Sequence, residues 1–168
     1  MKQYYTRYQS IIGPLFLVCN DAGLIEILFA DTFEEKYQYI KLDNHPILHI
    51  TKEWLDGYFS GFHPDPNILP LLPKGTDFQK VVWKQVLTIP YGQVDTYGTI
   101  AKHVGLDLGK FKISAQAIGQ AVAANPIPIV IPCHRVIGSN GNLTGYSGGL
   151  QKKMILLRHE NESAKDSL

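Results

Sequence analysis

Residues 114–136 read SAQAIGQAVAANPIPIVIPCHRV, and the fold and chemistry of the chain both turn on them. The first half has the composition of a helix, with Ser114 placed to cap it. Ala115, Ala117, Gly119, Ala121, Ala123 and Ala124 strip that helix of bulk on nearly every face. Such a helix either packs tightly in a core or lets its backbone approach something external, such as a nucleic-acid groove. Its polar side chains, Ser114, Gln116 and Gln120, are too few to read base edges, so contact through shape and backbone is the better expectation. The run PIPIVIP then reads as extended and delivers Cys133 between a proline and a histidine.

Working outward, TDFQKVVWKQVLTIPYG (residues 76–92) opens with a capping-box pair, Thr76 and Gln79. Phe78, Val82, Val86 and Ile89 follow at helical spacing until Pro90. DTYGTIAKHVG predicts a short helix capped by Thr96, and LDLGKFK a turn or loop before the helix that Ser114 caps. Two short helices joined by a glycine-containing connection suggest a helix-turn-helix with a long joint. GGLQKKMILLRHE (residues 148–160) reads as an amphipathic helix with Leu150, Met154 and Leu157 on one face. The N-terminal third reads as strands: YYTRY, PLFLVCN and LIEILFA, the last two separated by the turn DAG. PILHITKEWLDGYFSG follows as a helix, and the proline-rich FHPDPNILPLLPKG reads as an extended linker between two lobes. The fold class expected is α+β.

At 168 residues, 45% hydrophobic and 18% charged, the chain has the composition of an ordinary globular protein. No apolar run has the length of a membrane span, and the N-terminus lacks the apolar core of a signal peptide. Cys19 and Cys133 form no CxxC pair, so reduced thiols and a cytoplasmic location are expected. Net charge is +1, yet ten of the fifteen acids lie in the first half while the sixteen bases divide evenly, so the second half carries a basic excess, a weak pointer to phosphate contact.

A cysteine is a nucleophile only as thiolate, and a free thiol with a pKa of about 8.5 is scarcely ionised at neutral pH. An imidazole can take the proton, and a carboxylate can orient the imidazole. His134 is adjacent and Glu160 lies late in the final helix. On Cys133 and His134 alone, an inert buried cysteine beside a surface histidine is the stronger reading.

The wider pattern narrows the choice. GTDFQKVVWKQVLTIPYGQVDTYGTIA, followed by NPIPIVIPCHRVIGSNGNLTGYSGGLQKKMILLRHE, resembles the O6-alkylguanine-DNA alkyltransferases over residues 75–160. The resemblance implies a ribonuclease-H-like N-terminal domain (1–70), an antiparallel sheet with a helix. A mostly helical C-terminal domain (75–160) containing the helix-turn-helix and a tail (161–168) would follow. It implies direct DNA repair in which an alkylated guanine, and by extension an O4-alkylthymine, is flipped from the duplex. The alkyl group then passes irreversibly to Cys133. In that scheme His134 accepts the thiol proton through a water, Glu160 holds the imidazole, and Tyr97 gives a proton toward guanine N3. Backbone around Tyr146 and Ser147 faces O6, carbonyls at Cys133 and Val136 take the exocyclic amine, and Asn125 bridges the helix-turn-helix to the active-site strand. Ser114, Ala115, Gln116, Gln120, Lys110, Lys112 and Arg135 would contact DNA. The implied partner is double-stranded DNA, bound through the minor groove with little sequence specificity by a monomer. No cofactor, metal or membrane is implied, and the location is cytoplasmic, or nuclear in a eukaryote. Cys19 is expected to be a buried strand cysteine.

Two departures stand out. Gln116 occupies the position where the family carries an arginine that fills the gap left by the flipped base. The joint GLDLGKFKIS is longer than usual and brings Lys110 and Lys112 near the reading helix. A lesion sensor that binds damage without repairing it is the alternative reading. Sensors of that kind replace the reactive cysteine, commonly by tryptophan, and Cys133 is retained.

Overall fold

The computed structural model describes residues 1–34 and 38–166. The chain divides into two compact units, Met1–Lys74 and Gly75–Leu168, each with its own core.

In the first unit, β1 (Tyr4–Ser10), β2 (Gly13–Cys19) and β3 (Leu24–Phe29) form an antiparallel meander, and β4 (Ile40–Lys41) adds in parallel to β1. The sheet order is β3-β2-β1-β4. Leu15, Leu17, Val18 and Cys19 bury β2 at its centre. Helix α1 (Pro46–Phe59) lies against the sheet on Ile47, Leu48, Thr51, Trp54, Leu55 and Tyr58. Its first turn is fixed by Pro46, whose φ suits a helix start, and by the His45 ring, which accepts from the Ile47 N–H.

The proline-rich segment is not the free linker its composition predicts. Asp65 caps a 3-10 turn at Pro66–Ile68, and its carbonyl accepts from Trp54 Nε1 at 3.1 Å. Leu69 is buried, and Leu24 bonds both ways to the strand-like run after it, through Pro70 O at 2.7 Å and Leu72 N–H at 2.8 Å. Prolines removed the ladder donors that make a strand visible in sequence, but the remaining N–H and C=O groups still pair.

In the second unit, α2 (Asp77–Val86) begins with the capping box between Thr76 and Gln79. β5 (Asp95–Thr96) leads into α3 (Tyr97–Leu108), capped by Thr96 as expected. α3 takes in LDL, which was expected to loop, and stops only at Gly109, whose φ of 64° makes the left-handed cap. α4 (Ala115–Ala123) starts at Ser114. One face packs as the core reading of its small residues expects, and the other is open to solvent. Ile118, Ala121 and Val122 are buried, and the bare backbone lets Trp83 Nε1 donate to Ala121 O at 2.8 Å, while Ala115, Gln116, Gln120 and Ala123 face outward.

Two more expectations fail for identifiable reasons. PIPIVIP is not extended: Ile131 N–H bonds back to Ile127 O at 3.0 Å, and Ile129 sits at φ 74°. A β-branched residue there costs about 1–2 kcal/mol, which burial of the whole Ile127–Ile131 cluster offsets. A 3-10 turn at Cys133–Arg135 follows, then β6 (Val136–Ile137), parallel to β5. The last helix, α5 (Leu150–Asp166), is longer than predicted and continues through residues expected to form a tail. It also buries a different face: Lys153, Leu156 and Glu160 point inward, whereas Leu150 and Met154 are half exposed. Hydrophobic periodicity cannot register a buried lysine and glutamate.

Candidate active site

The site is assembled from the end of α4, the turn after it, the start of α3 and the inward face of α5. Asn125, just past α4, donates from Nδ2 to Ile131 O at 2.8 Å and accepts from Ile127 N–H at 3.0 Å. It thereby holds the strained turn against the helix-turn-helix. The turn presents Cys133, which is buried, with its N–H on Ile131 O at 2.7 Å. Burial pushes the thiol up to about 11, opposed by a hydrogen bond from Asn125 and the Lys153 charge. The resting group is therefore a thiol, and ionisation needs a local acceptor.

His134 is the next residue in the chain. It is fully buried, and Nε2 lies 2.6 Å from Glu160 Oε1. Burial lowers its pKa, against the hydrogen bond and charge of Glu160, and the net shift is downward, so the ring is neutral at pH 7. An ionised carboxylate only accepts, which places the hydrogen on Nε2 and leaves Nδ1 as a lone pair. Nδ1 is buried and has no hydrogen-bond partner among the described residues.

Glu160 is held ionised. Burial alone would raise its pKa, but hydrogen bonds and charge from His134 and Arg135 prevail and keep it well below the usual carboxylate range. Arg135 grips it through Nε at 2.9 Å and through a second nitrogen at 2.9 Å, and Gly92 N–H adds a bond at 3.1 Å. Arg135 also donates to Ile89 O at 2.7 Å and lies over the Tyr91 ring. Arg135 was expected to contact DNA; the structure buries it instead. Its charge is committed to Glu160, where it fixes the carboxylate that orients His134.

Tyr97, the first residue of α3, donates its hydroxyl to Thr144 O at 3.0 Å. Partial burial raises its pKa, and so does the nearby Cys133, while the Thr144 bond lowers it; the phenol stays protonated. Tyr97, Gln116, Gly119, Gln120, Thr144 and Gly145 surround an open cavity of about 530 Å³. Tyr146 is buried and Ser147 exposed on the same loop. The Val136 carbonyl, expected to face substrate, already accepts from Lys153 Nζ at 2.6 Å. Lys153 also reaches Thr144 O at 3.1 Å, so one buried ammonium ties the cavity loop to β6. Sequence reasoning missed it because a lysine in an amphipathic pattern reads as solvent-facing. Ser114, Lys110 and Lys112 are exposed around the N-terminus of α4.

Known proteins resemble this chain over nearly its whole length. The family model described as "6-O-methylguanine DNA methyltransferase, DNA binding domain" matches residues 77–162, and that of the family's ribonuclease-like domain matches residues 3–73. The chain belongs to the 6-O-methylguanine DNA methyltransferase family. It is 41% identical to a methylated-DNA–protein-cysteine methyltransferase of Methanosarcina barkeri, covering 96% of this chain and 99% of that one. It is 38% identical to one of Mycobacterium bovis, covering 98% and 96%. Among solved structures, Mycobacterium tuberculosis OGT in complex with DNA superposes with a TM-score of 0.81 at 37% identity, covering 95% of this chain and 94% of that one. The fold is thus the family's α+β architecture. Cys19, by contrast, ends β2 with its thiol 3.4 Å from His45 Nδ1.

Proposed function

We propose that this methyltransferase repairs DNA by moving the alkyl group of O6-alkylguanine irreversibly onto Cys133. The observation that carries the reading is the buried, unpartnered Nδ1 of His134, held in that tautomer by Glu160, in the residue that follows a buried thiol. The thiol proton passes to His134, directly or across one water. Sγ attacks the alkyl carbon in line, the S–C bond forms, and the O6–C bond breaks with its electron pair left on guanine. Tyr97 turns its phenol from Thr144 O to guanine N3 and supplies the proton that makes the base a better leaving group. The thiol proton and the phenol proton then re-equilibrate with solvent. Nothing in the site can hydrolyse a thioether, so each chain acts once.

The flipped base enters the cavity bordered by Tyr97, Gly119 and Gly145. The exposed face of α4, through Ser114, Ala115, Gln116 and Gln120, lies on the minor groove of a duplex bound by one monomer. Bare alanines and glycine allow close backbone approach there, and sequence selectivity is correspondingly low. Gln116 supplies hydrogen bonds but no guanidinium plane or charge. Gln116→Arg is expected to bind lesion-containing duplex about fivefold more tightly at low salt, measured by fluorescence anisotropy; an unchanged affinity removes Gln116 from the interface. Two free thiols fit a reducing, cytoplasmic setting.

The test is intact-mass spectrometry after mixing the protein with a duplex holding one O6-methylguanine. One added methyl per chain, mapped to Cys133 and absent in Cys133→Ser, is the expected result. Binding without added mass would instead make the protein a damage sensor.

A further inference from the structure

The joint between α3 and α4 has no role in the chemistry above, yet its construction is specific. Lys110 N–H bonds back to Gly105 O at 2.9 Å, and the Lys110 carbonyl lies so close that a Cβ at Gly105 would meet it at 3.0 Å. The Gly109 cap fixes one end of the loop and the Ser114 cap the other. On this anchored loop Phe111 is fully exposed, and Lys110 and Lys112 on either side are exposed as well. Beneath them opens a cavity of about 710 Å³, floored by Ala101, Leu106 and Ile113 and edged by Lys102. Ala115 borders both this cavity and the one at Tyr97, so the two flank the first turn of α4.

A planar apolar side chain between two cations, over an apolar floor, is complementary to a nucleotide: phosphate to the lysines, base to the ring. We propose that this joint binds the nucleotide orphaned opposite the flipped guanine, with Lys110 and Lys112 on its phosphates and Phe111 stacked on its base. The inference rests on the DNA-repair reading of the same domain. It assigns Phe111 the planar surface that Gln116 cannot provide, on a loop bounded by a helix cap at each end.

The experiment uses the Cys133→Ser protein, so that binding is read without alkyl transfer, and a duplex with pyrrolocytosine opposite O6-methylguanine. Stacking on Phe111 should quench the pyrrolocytosine fluorescence. Phe111→Leu should abolish the quenching and weaken binding about tenfold, and Phe111→Trp should restore both. Lys110→Ala with Lys112→Ala should lower the slope of log K against log salt by roughly 2. Phe111→Leu with unchanged quenching and affinity overturns the proposal. So does a Phe111→Leu effect confined to self-association in sedimentation velocity. Alkylation of Cys133 by free O6-methylguanine base, which needs no duplex, separates these outcomes from failure of the repair reading: a chain with Cys133 intact should be modified equally well with Phe111 or Leu at that position.

Discussion

Each unit of the chain buries one cysteine and one histidine, and each histidine has a carboxylate at its Nε2. Cys19 lies 3.4 Å from His45 Nδ1, with Asp21 at 3.4 Å from Nε2. His134 follows Cys133, with Glu160 at 2.6 Å from Nε2. Both thiols are pushed up to about 11 by burial. The differences lie in what each imidazole is free to do. His45 Nδ1 accepts from the Ile47 N–H as the cap of α1, and the Asp21 side chain is 72% exposed. Glu160 is 1% exposed and held by Arg135 and Gly92, while His134 Nδ1 is uncommitted. A buried cysteine with a histidine and an acid therefore does not by itself mark a nucleophile. On the reading proposed above, the uncommitted lone pair and the carboxylate kept ionised are what set the second group apart.

The contrast can be broken most directly at the thiols. Cys133→Ser should abolish alkyl uptake from an O6-methylguanine duplex, whereas Cys19→Ala should still gain one methyl per chain by intact mass. Methylation persisting in Cys133→Ser would make the two cysteines equivalent and remove the distinction.

Next in size is the base. With His134 neutral near pH 7 and the thiol protonated up to about 11, internal transfer makes the wild-type rate flat between pH 7 and 9. His134→Gln should slow alkylation by about 10²–10⁴-fold at neutral pH. Its residual rate should climb roughly tenfold per pH unit, because solvent must then ionise the thiol. Stopped-flow or quenched single-turnover rates across that range decide the matter.

Glu160→Gln strips the partner from Arg135 and should cost about 3–5 kcal/mol in urea unfolding. The sign of its pH dependence follows from the depressed carboxyl. The contribution is present above the unfolded value of about 4.3 and lost as pH falls through the folded one. His134, also depressed, adds loss in the same direction, beginning near its unfolded value of about 6.5. The variant should retain the second component and lack the first. Asp21→Asn should be the smallest change, under about 1 kcal/mol, since the exposed Asp21 carboxylate is screened by water; a loss equal to that of Glu160→Gln would erase the comparison.

How much of this was legible in the sequence differs by element. The caps at Thr76, Thr96 and Ser114 and the strands of the meander were visible because their signals are local. The inward face of α5 was not, because Lys153 and Glu160 are buried only by partners that folding brings from elsewhere. For the same reason Arg135 read as a surface cation, although its guanidinium faces Glu160. PIPIVIP misled because β-branched residues and prolines both favour extended backbone, and only the packing of the turn holds Ile129 in the left-handed region. Cys133, His134 and Glu160 were candidates from their chemistry, and Tyr97 entered only through the resemblance of whole motifs; spacing alone left the inert cysteine standing.

One consequence follows from the reach of Glu160. Its carboxylate bonds to Gly92, 68 positions away in sequence, and to Arg135, 25 away. The two helices of the helix-turn-helix, by contrast, follow each other in sequence, and the link from Trp83 to α4 spans 38 positions. Long-range closure carries an entropic cost that local helix formation avoids, so contacts of this separation form late. During refolding the DNA-binding surface should therefore mature before His134 acquires its carboxylate, and the capacity to react should be the last property the chain recovers.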